Sequence, residues 1–249
     1  MIYSLGLSYK NSSILSNKKT ERKKTKEKNF SLPDKQTRSL VQSAEARRIL
    51  SLLAGRSIKE NDITAEAQGR PFLSGCELDF NISHSSDLTA VSFVKSGNLR
   101  TGCDIELIRK RSGATGIAET FFSETEKKYL SHNDRFDETR FYEIWTLKEC
   151  YLKLHGLSVF DMAAVPSFIT GDSSSGWSFT FDSPGSLPLL FSVYELSDNT
   201  GILYMAATVI EGALQLPEIK WFSSLSLACK IRAEIKAAPN PAQTVSPKR

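Results

Sequence analysis

Residues 102–106, with the sequence GCDIE, carry two carboxylates at a spacing that could bind a metal ion. Successive side chains of a β-strand point to opposite faces, so on a strand Asp104 and Glu106 would share one face. Two neighbouring carboxylates repel each other unless a cation or a proton lies between them. Mg²⁺ commonly takes one or two carboxylates together with water and phosphate oxygens. The segment is a candidate magnesium site, and an ordinary solvated strand face is the simpler alternative for this segment alone.

A third carboxylate lies on a segment with helical spacing. Trp145, Glu149 and Lys153 are four residues apart and would line one face of a helix, with Lys148 about 100° away around its axis. Glu149 could complete the metal site, and a lysine beside it could stabilise negative charge that develops on a phosphate. The alternative is a helix-stabilising Glu–Lys ion pair, which contributes roughly a few tenths of a kcal/mol.

Two further segments are candidate anion contacts. Residues 81–85, NISHS, follow a predicted strand, and a turn there would present His84 between two serines as hydrogen-bond donors. The alternative for this segment is a turn whose hydroxyls cap backbone groups. Arg70, in the sequence Gly-Arg-Pro, is a weaker candidate for the same kind of contact.

Composition limits the class of protein. The formal net charge is only +4, and residues 18–28 alone carry a net charge of +5, which excludes a generally basic nucleic-acid coat. A hydrophobic content of 40% is enough for a buried core. The sequence shows no membrane-spanning run and no signal peptide, and its four cysteines form no metal-binding or disulfide pattern. We expect a cytoplasmic monomer that binds neither membrane nor nucleic acid.

The elements that position these residues follow from periodicity and turn signals. We predict helices at 37–53, at 124–130 after a capping box that begins at Ser123, and at 137–154. Strands are predicted at 78–82, 177–181, 189–194 and 202–209, together with an antiparallel hairpin of 88–94 and 99–107. A loop is expected at 109–116. This order predicts an α+β fold of two similar halves, 1–107 and 108–235, followed by a disordered tail at 236–249.

Several segments, taken in order along the chain, match a known pattern. They are GRP at 69–71, NISHS at 81–85, GCDIE at 102–106, FFS at 121–123 and WTLKECYLK at 145–153. This set resembles the 4′-phosphopantetheinyl transferases of the larger, single-chain, Sfp-like type, whose pattern is F-N-[IL]-S-H-[ST], G-x-D-x-E and W-[ST]-x-K-E-[AS]-x-x-K. Cys150 stands where the family usually has Ala or Ser, and Arg70 where many members carry Lys. The resemblance extends from about residue 23 to 157.

The resemblance also gives the basic block a role. The family has a cluster of basic residues, then a Phe, then an Arg at the start of a helix, and here these are Lys23, Lys26, Phe30 and Arg38. In the family such residues grip the 3′-phosphate end of coenzyme A. The implied reaction moves the 4′-phosphopantetheine arm of coenzyme A onto a serine of an acyl or peptidyl carrier protein and releases adenosine 3′,5′-bisphosphate.

The resemblance implies a role for each site residue. Asp104, Glu106 and Glu149 would hold Mg²⁺, Glu149 would take the serine proton directly or through water, and Lys153 would stabilise the leaving phosphate. Coenzyme A would be bound by Lys23, Lys26, Arg38, Arg70, Ser83, His84, Lys148 and Lys153. An acidic carrier would dock on the segment 110–120, beside the basic run 109–111, and on the helix after Phe122. Two rivals remain: another Mg²⁺-dependent phosphoryl-transfer enzyme, and an interaction protein that binds polyanions through residues 18–28.

Overall fold

The structure is a computed structural model that describes residues 2–9, 35–67, 69–86, 88–95, 98–132, 135–168, 189–197, 201–212, 218–223 and 228–237. Side chains are described from residue 44 to residue 212 within these ranges, except at 132, 163 and 164. The basic block at 18–28, the predicted strand at 177–181 and residues 238–249 of the predicted tail therefore lie outside the described residues. Residues 236 and 237, predicted as the start of that tail, are instead the last two residues of a strand.

The described residues form helices and strands in alternating groups. The helices are α1 (Lys35–Ala54), α2 (Ala114–Phe121), α3 (Glu124–Leu130) and α4 (Glu138–His155), with 3-10 turns at Glu60–Asp62 and Val159–Ala164. The strands are β1 (Ile2–Tyr9), β2 (Ile63–Ala65), β3 (Pro71–Leu73), β4 (Leu78–Ser85), β5 (Leu88–Lys95), β6 (Arg100–Leu107), β7 (Ser131–His132), β8 (Arg135–Phe136), β9 (Leu189–Ser197), β10 (Leu203–Glu211), β11 (Glu218–Ser223) and β12 (Ala228–Ala237). No helix of the described part is both long and apolar enough to cross a bilayer.

Two four-stranded sheets form the centre of the molecule. Their strand orders are β11-β1-β5-β4 and β12-β9-β10-β6, and every pairing within them is antiparallel except that of β1 with β11. Helix α1 packs on the first sheet, where Leu50 joins Phe80 and Phe93 in one core cluster. Helix α4 packs on the second sheet and contributes nine of the 22 buried residues of the larger core cluster there. The predicted α+β class, with antiparallel sheets and packed helices, is confirmed.

The helix ends follow from local sequence signals. The Ser123 hydroxyl accepts a hydrogen bond from the Glu126 amide, and the Glu126 carboxylate accepts one from the Ser123 amide, so the predicted capping box is present. Asp137 caps α4 by accepting from the Arg140 amide, and α4 ends at Gly156, whose φ of 67° is in the left-handed region. The predicted helices at 37–53, 124–130 and 137–154 are confirmed.

The predicted hairpin of 88–94 and 99–107 is wrong. The two segments are strands, but β5 pairs with β1 and β4, whereas β6 is the edge strand of the other sheet and pairs with β10. The reason is that the backbone of β6 is hydrogen-bonded to β10, which lies about a hundred residues further along the chain. A turn signal between neighbouring segments carries no information about so distant a partner. The two sheets also exchange strands, because β11 joins the N-terminal sheet and β6 joins the C-terminal one. The division at residue 107 stays a prediction.

Two smaller expectations also change. Strand β4 runs through Ser85, so residues 83–85 lie on the strand and not in a turn after it. The loop predicted at 109–116 is shorter than expected, because α2 already begins at Ala114. Both corrections bring candidate residues onto regular elements, which hold a side chain in place more firmly than a loop does.

Candidate active site

A ladder of side chains joins the two sheets where β4 runs beside β6. Alternate residues of β4 accept hydrogen bonds from alternate backbone amides on the free edge of β6. The pairs are Asp79 with the amide of Thr101 (2.7 Å), Asn81 with Cys103 (3.2 Å), Ser83 with Ile105 (3.3 Å) and Ser85 with Leu107 (2.9 Å). Side chains here satisfy edge amides that a neighbouring strand would otherwise satisfy. The ladder therefore fixes how β6, with its two carboxylates, lies against β4.

Asp104 lies at the centre of the site and is buried. Its Oδ1 atom accepts a hydrogen bond of 2.7 Å from the Ser83 hydroxyl and one of 2.6 Å from Lys153 Nζ. Lys153 Nζ also donates to the Ser83 hydroxyl at 2.8 Å, so the three groups form a closed triangle. The other carboxylate oxygen, Oδ2, is buried and has no hydrogen-bond partner among the described residues. A buried, unsatisfied carboxylate oxygen is costly unless a ligand completes it.

Glu106 lies two residues further along the same strand and is half-buried. The Ser85 hydroxyl donates to its Oε2 atom at 3.2 Å. Burial raises the pKa of Glu106, and the negative charge of Asp104 raises it further, against a smaller lowering by the bond from Ser85. This effect of Asp104 on Glu106 agrees with the sequence prediction that the two carboxyl groups share one face of β6.

Helix α4 reaches this strand because residue 102 is a glycine. A β-carbon on Gly102 would lie 2.5 Å from the carbonyl oxygen of Cys150 and 3.1 Å from the amide nitrogen of Leu154. The backbone of α4 thus lies directly on β6, which brings Glu149 and Lys153 to the face that carries Asp104. The first glycine of the GCDIE segment is required for this close approach of helix and strand.

Glu149 has the most perturbed carboxyl group of the site. Burial, followed by the charge of Asp104, raises the pKa of Glu149 from 4.5 to about 7, and Glu106 adds to the increase while Lys153 opposes it. A carboxyl group with this pKa exchanges a proton readily near neutral pH, which is the property of a general base.

Lys153 balances part of this negative charge. Burial alone would lower the pKa of Lys153, but the Asp104 carboxylate beside it raises the pKa above its ordinary value. The ammonium therefore stays protonated at neutral pH. A fixed positive charge next to three carboxyl groups is suited to binding or stabilising a phosphate group.

An arginine missed as a site residue lies at the rim of the site. The guanidinium of Arg111 lies 5.9 Å from the centre of the Trp145 ring, within the range of a cation–π contact. Its charge also lowers the pKa values of Glu106 and Glu149, against the larger effects of burial and of Asp104. The sequence predicts for Arg111 only a role in carrier docking, as part of the basic run 109–111.

The acidic cluster fits a hard divalent cation by its chemistry. No three His, Cys, Asp or Glu side chains of the described part stand close enough, as they are placed, to enclose an ion. Yet the carboxylate oxygens are of the type that Mg²⁺ prefers, and Asp104 Oδ2 is buried without a partner among the described residues. The charge of Asp104 also raises the pKa values of Glu106 and Glu149. A cation among them would remove the repulsion and satisfy the orphaned oxygen.

The candidate anion contacts are divided between two faces of β4. Ser83 points toward β6 and is bonded to Asp104 and Lys153, as described above. His84 is exposed and, by strand alternation, lies on the face that carries Phe80, which is the α1 side. Arg38 lies near the start of α1, but its side chain is outside the described residues, as are Lys23 and Lys26 entirely.

Arg70 and Lys148 lie in the interior, away from the acidic cluster. Arg70 makes a bidentate ion pair with Asp79 and donates to the carbonyl oxygen of Thr101, all at 2.7 Å. Lys148 is 1% exposed and lies 3.1 Å from Glu126, whose side chain is fully buried. These partners hold both side chains in the interior, and the contacts of Arg70 and Lys148 with coenzyme A stay a prediction.

Sequence reasoning missed the residues of β4 that hold the site together. Asp79, Asn81 and Ser85 carry the ladder together with Ser83, and none of the three was singled out alone. Their polar side chains at every second position were a visible signal of one strand face directed at hydrogen-bonding groups. The predicted strand ends at residue 82, whereas β4 runs to Ser85, so the alternation extends further than the predicted strand.

Comparison with known proteins shows the family to which the chain belongs. A model of the 4′-phosphopantetheinyl transferase superfamily matches residues 100–200, which include β6 and α4. The 4′-phosphopantetheinyl transferase AcpT of Salmonella typhimurium is 32% identical over 136 residues, which cover 51% of this chain and 70% of that protein. AcpT of Escherichia coli K12 is 36% identical over 124 residues (46% and 62%), and HetI of Nostoc sp. is 31% identical over 134 residues (51% and 55%). The chain therefore belongs to the 4′-phosphopantetheinyl transferase superfamily and is a transferase.

Proposed function

We propose that the protein transfers the 4′-phosphopantetheine arm of coenzyme A to a serine of an acyl or peptidyl carrier protein in a Mg²⁺-dependent reaction. The observation that carries the proposal is the cluster of Asp104, Glu106 and Glu149, with Lys153 among them, at the junction of β6 and α4. The serine oxygen would bond to the phosphorus that carries pantetheine. The bond from that phosphorus to the bridging oxygen would break, and adenosine 3′,5′-bisphosphate would leave.

Three side chains would hold the metal ion: Asp104, Glu106 and Glu149. When bound, Mg²⁺ would neutralise negative charge on the pyrophosphate of coenzyme A. Ser83 and Lys153 already bind Asp104 Oδ1, whereas Asp104 Oδ2 has no hydrogen-bond partner among the described residues and could bind the ion. This arrangement pre-orients the carboxylate before any ligand arrives.

Glu149 would accept the proton of the attacking serine. In the metal-free site, burial and the charge of Asp104 raise the pKa of Glu149 to about 7. A bound cation would lower this pKa, so the carboxylate would be ionised and able to accept the proton. The transfer would run directly from the hydroxyl to the carboxylate or through one water molecule. Lys153, which stays protonated, would stabilise the charge that develops on the leaving phosphate.

The remaining coenzyme A contacts would come from the N-terminal part of the chain. His84 is exposed on the α1 face of β4, and α1 carries Arg38, so a 3′-phosphate bound between them is consistent with the described backbone. Lys23 and Lys26 are proposed to grip the same phosphate. We also propose that one chain suffices, because all the acidic residues of the cluster come from β6 and α4 of a single copy.

The carrier protein would dock beside α2. Residues 109–111, Arg-Lys-Arg, are exposed immediately before this helix. Opposite charges on two partners speed their association and favour the correct orientation, so an acidic carrier suits this surface. A cavity of about 190 Å³ lies between α2, α3 and the β7–β8 pair, and Lys127 of α3 lines it. This cavity could receive a side chain of the carrier.

Nucleotide release with and without carrier protein tests the proposal. The enzyme, coenzyme A and Mg²⁺ would be incubated with a panel of apo carriers, and adenosine 3′,5′-bisphosphate would be separated and quantified. We expect release only when an apo carrier with its serine is present. Equal release without a carrier would instead identify a phosphohydrolase that uses the same carboxylates.

A further inference from the structure

The Ser85 hydroxyl lies between the backbone of β6 and the Glu106 side chain. Its oxygen accepts the amide of Leu107 at 2.9 Å, and its proton is directed to Glu106 Oε2 at 3.2 Å. Since a hydroxyl has only one proton, the amide bond on one side and the carboxylate on the other fix its orientation. The hydroxyl thus ties Glu106 to a strand that is itself held in the sheet-joining ladder.

We propose that Ser85 is a positioning residue that orients Glu106 for binding of a divalent cation. The inference rests on the proposed function, because it assigns Glu106 to the metal site. Ser83 makes the equivalent contact with Asp104: Ser83 precedes Ser85 by two residues on β4, and Asp104 precedes Glu106 by two residues on β6. The two-residue repeat of both strands thus gives each strand-borne carboxylate a hydroxyl that is anchored on a neighbouring backbone amide.

The hydrogen bond from Ser85 restricts a side chain that burial alone leaves flexible, that of Glu106. Glu106 is half-buried and has three rotatable side-chain bonds, so a free side chain would have to be ordered when the cation binds. Asp104 is shorter, is buried and is held by Lys153 as well as by a serine. Ser85 is the hydrogen-bond donor that the structure shows on Glu106, so removal of this hydroxyl should loosen that ligand in particular.

Outer contacts of metal ligands typically change metal affinity by roughly 10–100-fold. Because Glu106 is half-buried and one ligand among three, we expect Ser85→Ala to weaken cation binding about tenfold, at the lower end of that range. Ser85→Thr keeps the hydroxyl and should bind the cation like the unmodified chain. Ser85→Cys keeps the volume with a weak donor, so it should bind more weakly even if the alanine variant fails to fold.

Direct binding of Mn²⁺, which shares the oxygen-ligand preference of Mg²⁺, would be measured on the full chain without coenzyme A. The signal of free Mn²⁺ in electron paramagnetic resonance gives the dissociation constant at one fixed pH. The matched control is Asn81→Ala, which removes another rung of the same ladder, the bond to the Cys103 amide. It should lower the unfolding temperature and leave Mn²⁺ affinity unchanged.

The outcomes separate this inference from the proposed function. A loss of affinity in Ser85→Ala and Ser85→Cys, rescue by Ser85→Thr and normal binding by Asn81→Ala would support it. Equal affinity of the Ser85→Ala or Ser85→Cys variant and the unmodified chain would overturn it while leaving the metal site intact. An equal loss in Asn81→Ala would also overturn it, because the effect would then belong to the ladder as a whole. Failure of the unmodified chain to bind Mn²⁺ would overturn the metal site and this inference together.

Discussion

Replacement of Glu149 by Gln should stabilise the metal-free protein at alkaline pH while it removes activity. The folded state raises the pKa of Glu149 from 4.5 to about 7, mainly through burial and the charge of Asp104. Between these two values the folded chain keeps a proton that the unfolded chain has lost. The free energy of unfolding must therefore fall as the pH rises through this window.

The size of the effect follows from the same two values. At about 1.4 kcal/mol for each pH unit, the interval from 4.5 to about 7 corresponds to an upper limit of about 3 kcal/mol of unfolding free energy. Glutamine has no charge to bury, although its amide still loses some hydration. We therefore expect the free energy of unfolding of Glu149→Gln to be higher than that of the unmodified chain by about 1–3 kcal/mol at pH 8. At pH 5 the difference should be about 1 kcal/mol or less.

Urea unfolding in the presence of a chelator, at pH 5 and at pH 8, measures this difference. The matched control is Glu124→Gln, because Glu124 is exposed and Lys127 lowers its pKa, so that variant should gain nothing at pH 8. Excess Mg²⁺ should stabilise the unmodified chain and reduce the advantage of the variant. A Glu149→Gln variant that is no more stable than the unmodified chain at either pH would refute the reasoning.

Three further substitutions test the packing around the site. Gly102→Ala should cost about 1–3 kcal/mol in urea unfolding, because its β-carbon would meet the Cys150 carbonyl oxygen at 2.5 Å and force α4 away from β6. Lys148→Met should lower the free energy of unfolding by about 3–5 kcal/mol, because the buried Glu126 carboxylate would lose its cationic partner. The double variant Lys148→Met with Glu126→Gln should recover much of this stability. Arg70→Met should lower the unfolding midpoint by breaking the ion pair with Asp79, and a raised KM for coenzyme A in the folded variant would support the predicted contact of Arg70 with the substrate.

Features that depend on a few neighbouring residues were predictable from the sequence. The capping box of Ser123 and Glu126, and the end of α4 at Gly156, involve contacts within one helical turn, so the sequence order carries the whole signal. The alternation that places Asp104 and Glu106 together is likewise a property of any strand.

Features that depend on distant partners were not predictable in the same way. The pairing of β6 with β10 joins Asp104 to Ala207, and no local pattern names that partner. The burial of Lys148 depends on the fold that brings α3 against α4, so an exposed-looking lysine in a charged segment became an interior ion pair. The proposed metal site rests on the carboxylates of the sequence and on the family resemblance, and the structure adds the serine contacts to Asp104 and Glu106.

Intact-mass measurement of an apo carrier protein tests the central claim most directly. The carrier would be incubated with the enzyme, coenzyme A and Mg²⁺, with Asp104→Ala as the matched enzyme variant and a carrier whose acceptor serine is changed to alanine as the substrate control. We predict a mass gain of one 4′-phosphopantetheine group on the intact carrier, and no gain with Asp104→Ala, with the altered carrier or with a chelator present. An unchanged mass across a panel of acyl and peptidyl carriers, with folded enzyme, would contradict the account.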